Sequence, residues 1–328
     1  MTSSPVRFAA VIPLYNKVAH IARALDSVAA QTYPAHEVIV VDDASTDDGR
    51  AVVERMARPE ITLLARDRPG PGGYAARNLA VAHARSEWIA FLDADDRWSP
   101  DHLEVMARAL AAAPDVGTVA TRFTHVHRDR REPDRVAPSL ASAAPVRLDL
   151  RAFLEAWLTA EDCPIWTGAV AVRRDLALRV GGFPAGRARR GGDKDLWLRL
   201  AREADLLFVP VATSDFHHDA QNKLTHTIDT RSIPLAAATA RAMIPAAPPP
   251  ERAPLRRLAN QEMKLYARWT AATGGRGPIR MGDLVHPASP STIGTVLAAR
   301  WLPASLLRLA YRLEHARRAR GRRKARGK

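Results

Sequence analysis

The 328 residues suffice for one large core or two modest ones, and 47% hydrophobic with 26% charged residues is the balance of a soluble globular chain. A single cysteine, Cys163, excludes an intrachain disulfide and a thiolate zinc cluster; no long apolar run and no signal-peptide pattern in MTSSPVRFAAVIPLYN point to a cytoplasmic protein. The net charge of +14 is mainly a tail property, since residues 301–328 hold eight Arg and two Lys against one Glu, and no nucleic-acid motif accompanies it, so nucleic acid is not an expected partner.

RFAAVIP, residues 7–13, is a continuous apolar run that reads as a buried strand, and the next segment places Ile21, Leu25 and Val28 at helical spacing. EVIVVDD, 37–43, is a β-branched strand ending in acids. A helix over roughly 47–57, the strand ITLLA, a helix over about 73–84 and the strand EWIAFLD follow. Ser99-Pro100 then opens another helix with Pro and Asp101 in its first turn. This alternation predicts an α/β fold with a mostly parallel, Rossmann-like sheet flanked by helices, whose ligands bind beyond the carboxyl ends of the strands. Residues 128–147 mix charge, Pro, Ser and Ala without period and read as an exposed excursion. The strand GAVAVRR, the turn VGGFP, the basic loop AGRARRGGDKD and the helix LWLRLARE come next. Beyond residue 230 the chain turns to Ala-rich helices broken by IPAAPPP. The expected organisation is a domain over 1–230, split into a donor-nucleotide half (1–125) and an acceptor half (126–230), then a helical C-terminal extension over 231–328.

Three strand ends carry chemistry. In DDAST, Asp43 can accept a hydrogen bond from a pyrimidine imide, or Asp42 and Asp43 can belong to a capping turn. In RPGPGGYAARN the glycines permit close backbone approach, and Arg77 and Asn78 can face an anionic or sugar-bearing ligand. In FLDADDRW, period two returns the carboxylates of Asp93 and Asp95 to one side, and hard oxygen donors suit Mg²⁺ or Mn²⁺, while Asp96 reads as a helix-cap neighbour.

VIPLYNK, VIVVDDASTDDG, GYAARNLAVAHARSEWIAFLDADDRW, VGGF and GGDKDLWLRLA occur in the order found in family 2 glycosyltransferases, and over residues 7–220 the chain resembles a bacterial, non-processive member with the GT-A fold. The resemblance implies transfer of a sugar, with inversion, from a nucleotide-diphospho-sugar, a UDP-sugar being the expected form, with Mn²⁺ or Mg²⁺ as cofactor. It places Pro13 and Tyr15 at the base pocket, Asp43 on the base, Asp93 at ribose and metal, and Asp95 as the firmest metal ligand. Asp193 matches the catalytic base, although Gly192 stands where Glu is common; Asp195 competes, with an exposed first-turn position as its plainer reading. In DFHHDAQNKLTH, His217 or His218 completes the metal or phosphate shell, or is a surface histidine, as is His226. Arg187, Arg189 and Arg190 either steer an anionic substrate or form an exposed basic loop. The implied acceptor is a saccharide or lipid-linked group in cell-envelope polysaccharide, glycolipid or glycoconjugate synthesis. A haloacid-dehalogenase-like sugar phosphatase and an idle nucleotide-sugar binding module are the alternatives.

The C-terminal stretch begins amphipathically, with Leu306, Leu309, Ala310 and Leu313 on one face and Arg308 and Arg312 off it. Such a helix suits an anionic surface at the inner face of the plasma membrane, or else docks on the catalytic domain ahead of a solubilising tail.

Overall fold

The computed structural model describes residues 5–56, 58–220, 233–272 and 278–303, together with 305–307 and 309. The chain divides into two compact units, residues 1–226 and 227–328.

In the first unit the elements are β1 (Phe8–Leu14), α1 (Ile21–Ala29), β2 (Glu37–Asp42), α2 (Gly49–Met56), β3 (Ile61–Ala65), α3 (Tyr74–His83), β4 (Trp88–Phe91), β5 (Arg97–Trp98), α4 (His102–Ala112), β6 (Thr118–Val126), β7 (Arg131–Pro133), β8 (Val146–Leu148), α5 (Leu150–Ala160), β9 (Val170–Arg173), α6 (Arg174–Arg179), α7 (Gly192–Glu203) and β10 (Leu206–His217). The strands form one sheet in the order β3-β2-β1-β4-β9-β6-β10-β5, with β7 on β6 and β8 on β10. β1, β2 and β4 are wholly or almost wholly buried, because helices cover both faces, and so they read as unbroken apolar runs. α1 buries Ile21, Ala24, Leu25 and Val28 against this core, a single stripe at helical spacing.

Strand direction positions the site. β1 through β4 pair in parallel, β9 runs antiparallel to both β4 and β6, and β10 runs parallel to β6. The carboxyl ends of β1, β2, β3, β4, β6 and β10, and the amino end of β9, therefore share one edge of the sheet.

One expectation is corrected and one is refined. The helix expected at Ser99-Pro100 starts at His102, because residues 99 and 100 are tied to their neighbours: Thr32 N–H donates to the Pro100 carbonyl at 2.8 Å and Gln31 Nε2 to that of Ser99 at 2.7 Å. The segment 128–147 is mostly exposed, as expected, yet it is tied to the sheet: it supplies β7 and the start of β8, buries Asp134, Ala137 and Leu140, and pairs Asp134 with Arg122 at 2.7 Å and Arg131 with Asp215 at 2.5 Å.

The second unit contains α8 (Leu235–Met243), α9 (Pro249–Ala272) and α10 (Pro290–Trp301). Ala237, Met263, Ala267, Ile279, Leu284 and Val296 form its core. The Asn260 side chain clamps Val285 by exchanging two backbone hydrogen bonds, at 2.7 and 2.9 Å.

Candidate active site

The ends of β1 and β2 face each other through polar side chains. Asp43 follows β2 and is buried; its carboxylate accepts from the Arg66 guanidinium and, at 2.9 Å, from Gly70 N–H. Asp42 accepts from Ser45 N–H at 3.0 Å, which makes Asp42 the turn-forming member of the pair. Tyr15 stands 43% exposed beside the half-buried Pro13. Its neighbour Asn16 adopts φ 51° and accepts from Thr46 N–H at 2.7 Å, which joins the two strand ends.

The three acids after β4 separate by surroundings. Asp93 is paired with Arg77 of α3, and Asp95 with Lys17 at 2.9 Å, while the Asp95 carbonyl accepts from Arg23 at 2.5 Å. Each of these carboxylates is thus answered by a cation from another element, which offsets their mutual repulsion. Asp96 is not the expected cap neighbour. It is fully buried and accepts from His217 N–H at 2.8 Å, so it fastens the end of β10 to the end of β4, and Asp101 takes the cap position of α4 instead.

α3 carries the connection to the far side. Arg77 lies over the Phe183 ring at 5.5 Å, and Asn78 exchanges two 2.8 Å hydrogen bonds with the Phe183 backbone, so the Asn78 amide fixes the VGGF turn. Tyr74 stacks on Phe183, and its hydroxyl accepts from Gly192 N–H at 2.9 Å. Burial, then the nearby charges of Asp193 and Asp93, push the Tyr74 hydroxyl well above its ordinary pKa. A Cβ on Gly192 would come within 2.8 Å of the Tyr74 ring, so glycine at 192 is a packing requirement here. Asp193 is half-buried in the first turn of α7, where the helix dipole favours its charge. Arg190 nearby has its pKa lowered by burial, against the opposing pull of Asp193. Asp195 is not exposed: it is buried and paired at 2.7 Å with Arg199, which also holds the carbonyls of Val180 and Gly182.

This edge brings an acid pair, a buried acid on a glycine loop and a helix-borne acid into one strand-end site. A model of glycosyl transferase family 2 matches residues 9–169, and an uncharacterized protein of Mycobacterium tuberculosis is 34% identical over 239 residues, 67% of this chain and 70% of that protein. The chain belongs to glycosyl transferase family 2. The succinoglycan biosynthesis protein ExoO of Rhizobium meliloti is 44% identical over 104 residues, 31% of this chain and 29% of ExoO, so the glycosyltransferase matches less than a third of that relative. Staphylococcus aureus TarS, solved with UDP-GlcNAc, superposes with a TM-score of 0.65 at 18% identity over 90% of this chain and 81% of the TarS chain. With UDP the TM-score is 0.60 at 18% identity, covering 95% and 87%. The likeness shows a GT-A fold with C-terminal helices, and family membership leaves the phosphatase reading without support.

Among the described residues of this glycosyltransferase, no three His, Cys, Asp or Glu side chains gather as a self-contained metal site. The donor set at 93 and 95 fits a hard cation that completes its shell with water and diphosphate oxygens. His218 has its Nε2 3.1 Å from His125 Nδ1 and its ring stacked on His127 with centroids 4.1 Å apart. Burial, and secondarily the charge of His127, lower the His125 pKa. His226 lies outside the described residues.

Sequence reasoning missed Lys17, Arg23, Arg66 and Tyr74 in the glycosyltransferase. Lys17 ends the quoted string VIPLYNK and Arg66 directly follows β3, so both stood at strand ends, where a cation beside so many acids was the available signal.

Proposed function

We propose that the protein transfers a sugar from a UDP-sugar to an acceptor hydroxyl with inversion, Asp193 acting as general base. The observation that supports this reading is the path of α3, whose Arg77 pairs with Asp93 and whose Tyr74 hydroxyl accepts from Gly192 N–H at 2.9 Å, next to Asp193. Asp43, Tyr15 and Pro13 bind the base and ribose side of the donor, with Arg66 and Gly70 N–H holding Asp43 in place. Asp95 and Asp93 hold Mn²⁺ or Mg²⁺, which when bound supplies positive charge to the departing diphosphate. Lys17 and Arg77 keep the two carboxylates oriented and balance their charge. Asp193 takes the proton of the acceptor hydroxyl as that oxygen attacks the anomeric carbon on the face opposite the diphosphate. Solved complexes of TarS with UDP-GlcNAc and UDP support a uridine donor.

The test is release of UDP by the purified full chain from a panel of UDP-hexoses and UDP-N-acetylhexosamines, with Mn²⁺ or Mg²⁺ and with saccharide acceptors. Acceptor-stimulated release that Asp193→Asn removes is the expected result. Tight donor binding without turnover in every combination would instead identify an idle binding module.

No helix among the described residues is long and apolar enough to cross a membrane. Trp301 is nevertheless 73% exposed, with Leu306 and Leu309 more than half exposed, next to the basic run of the sequence. This combination supports work at an anionic membrane surface on a lipid-linked or envelope-polysaccharide acceptor. Co-sedimentation with anionic vesicles should require the residues after Pro303; equal recovery of the full chain and the truncation would exclude it.

A further inference from the structure

We propose that Trp166, Phe216 and Phe123, rimmed by His125, His127 and His218, form an acceptor subsite that takes a pyranose ring by stacking on its apolar face. The proposal rests on the glycosyltransferase reading of the neighbouring carboxylates and adds the chemical class of the second substrate.

The cluster sits on the functional edge of the sheet. Phe123 and His125 lie near the end of β6 with His127 just after it, Phe216 lies near the end of the adjacent β10 with His218 just after it, and Trp166 lies just before β9, whose amino end shares that edge. Ring centroids are 4.7 Å apart for Phe123 and Trp166, 5.1 Å for Trp166 and Phe216, and 4.5 Å for Phe216 and His218. These rings differ from those of the core. Trp98, Trp157 and Trp197 are fully buried, whereas Trp166, Phe123 and Phe216 stay half-buried, leaving aromatic surface at a strand-end rim where burial would stabilise more.

The site is also built to hold its position. A Cβ on Gly168 would lie 2.3 Å from the Trp166 ring, so the indole rests against a residue that must lack a side chain. The Gly168 carbonyl in turn accepts from Trp98 Nε1 at 2.9 Å and from Ser214 Oγ at 2.7 Å, which locks this turn to β5 and β10. On one side, His217 N–H donates to Asp96, one residue beyond the Asp95 carboxylate. On the other, the loop that leads to Trp166 is tied to α7, where Asp162 pairs at 2.8 Å with Lys194, the residue after Asp193. The ring-bearing segments are thus joined to those that carry the donor acids and the proposed base.

The chemistry matches a saccharide. An aromatic face carries negative potential and attracts the polarised C–H bonds on one side of a pyranose, while imidazole nitrogens at the rim donate to and accept from equatorial hydroxyls.

The experiment uses the full chain and a panel of p-nitrophenyl hexosides and N-acetylhexosaminides, read by saturation-transfer difference NMR, with UDP release from UDP-sugars without acceptor measured in parallel. Trp166→Leu keeps apolar volume and removes the ring; Trp166→Phe keeps a ring. The expected result is a loss of about tenfold in pyranoside affinity for Leu, about twofold for Phe, and unchanged UDP release in both. His127→Leu, at the rim, should weaken the same binding about threefold and serves if Trp166→Leu melts early. Equal pyranoside binding by wild type and both leucine variants, or UDP release by a wild-type chain that binds no pyranoside, overturns the subsite. Pyranoside binding lost on Trp166→Leu in a chain that neither binds nor cleaves any UDP-sugar would keep the subsite and overturn the donor reading.

Discussion

The two halves of the functional edge are made of opposite materials. Along β3-β2-β1-β4 the strand ends carry carboxylates matched to cations: Asp43 to Arg66, Asp93 to Arg77 and Asp95 to Lys17. Along β9-β6-β10 they carry rings, with Trp166, Phe123, Phe216 and three histidines in mutual contact. The first half is suited to a ligand that brings charge, the second to one that brings C–H surface and hydroxyls. Two elements join them: α3, whose Tyr74 and Asn78 reach the 183 and 192 backbone, and Asp96, which accepts from the end of β10.

The comparison breaks if the halves fail independently of their chemistry. The largest effect is expected at Asp193: Asn there should lower transfer about a thousandfold while the donor dissociation constant, by calorimetry, stays within about twofold. Asp95→Asn should cost about a hundredfold and, unlike the first variant, should weaken donor binding and blunt the response to added Mn²⁺ or Mg²⁺; identical metal titrations for variant and wild type would remove Asp95 from the donor half. Arg66→Ala leaves the buried Asp43 carboxylate without its cation and should lower stability by about 3 kcal/mol in denaturant titration, with part of the loss recovered by Asp43→Asn in the same chain.

A last effect, small near neutral pH, sharpens the contrast through pH. His102 is fully buried, stacked on Trp98, with Nδ1 2.7 Å from Thr213 Oγ1 of β10, and burial pulls its pKa down to about 3. Its folded value lies below the ordinary value of 6.5, so the unfolded chain takes up the proton first. Stability is therefore full above about pH 6.5 and falls as pH drops towards about 3. Amide exchange should show this softening first in β6 and β10, and His102→Phe should flatten the profile.

The halves also differ in how openly the sequence displays them. VIPLYN, DDAST and DADD are contiguous because each parallel strand delivers its own loop to the edge, although Asp93 and Asp95 lie past β4 in a turn rather than at strand period, each on its own cation. Continuous apolar runs sufficed for β1, β2 and β4 because helices bury both their faces. The ring half is assembled from positions 123–127, 166 and 216–218 by antiparallel neighbours that no local pattern announces. The alternation of Phe123, His125 and His127 was its one visible trace. Asp96 and Asp195 were misjudged for the same reason: their partners are a backbone amide 121 residues away and an arginine on the buried side of its own helix. Charge alone does not distinguish a solvated acid from one satisfied inside the fold.

Gly192 and Tyr74 have a consequence for exchange between relatives. A Cβ at 192 would lie 2.7 Å from the Pro184 ring and 2.8 Å from the Tyr74 ring, so a glutamate here is obstructed from two segments at once. Neither Gly192→Glu nor Tyr74→Ala alone restores the acidic neighbour of Asp193: the first is obstructed, and the second leaves a void. Positions 74, 184 and 192 form one packing unit, and grafting a relative's α7 loop onto this scaffold must carry the start of α3 and the turn at Pro184 with it.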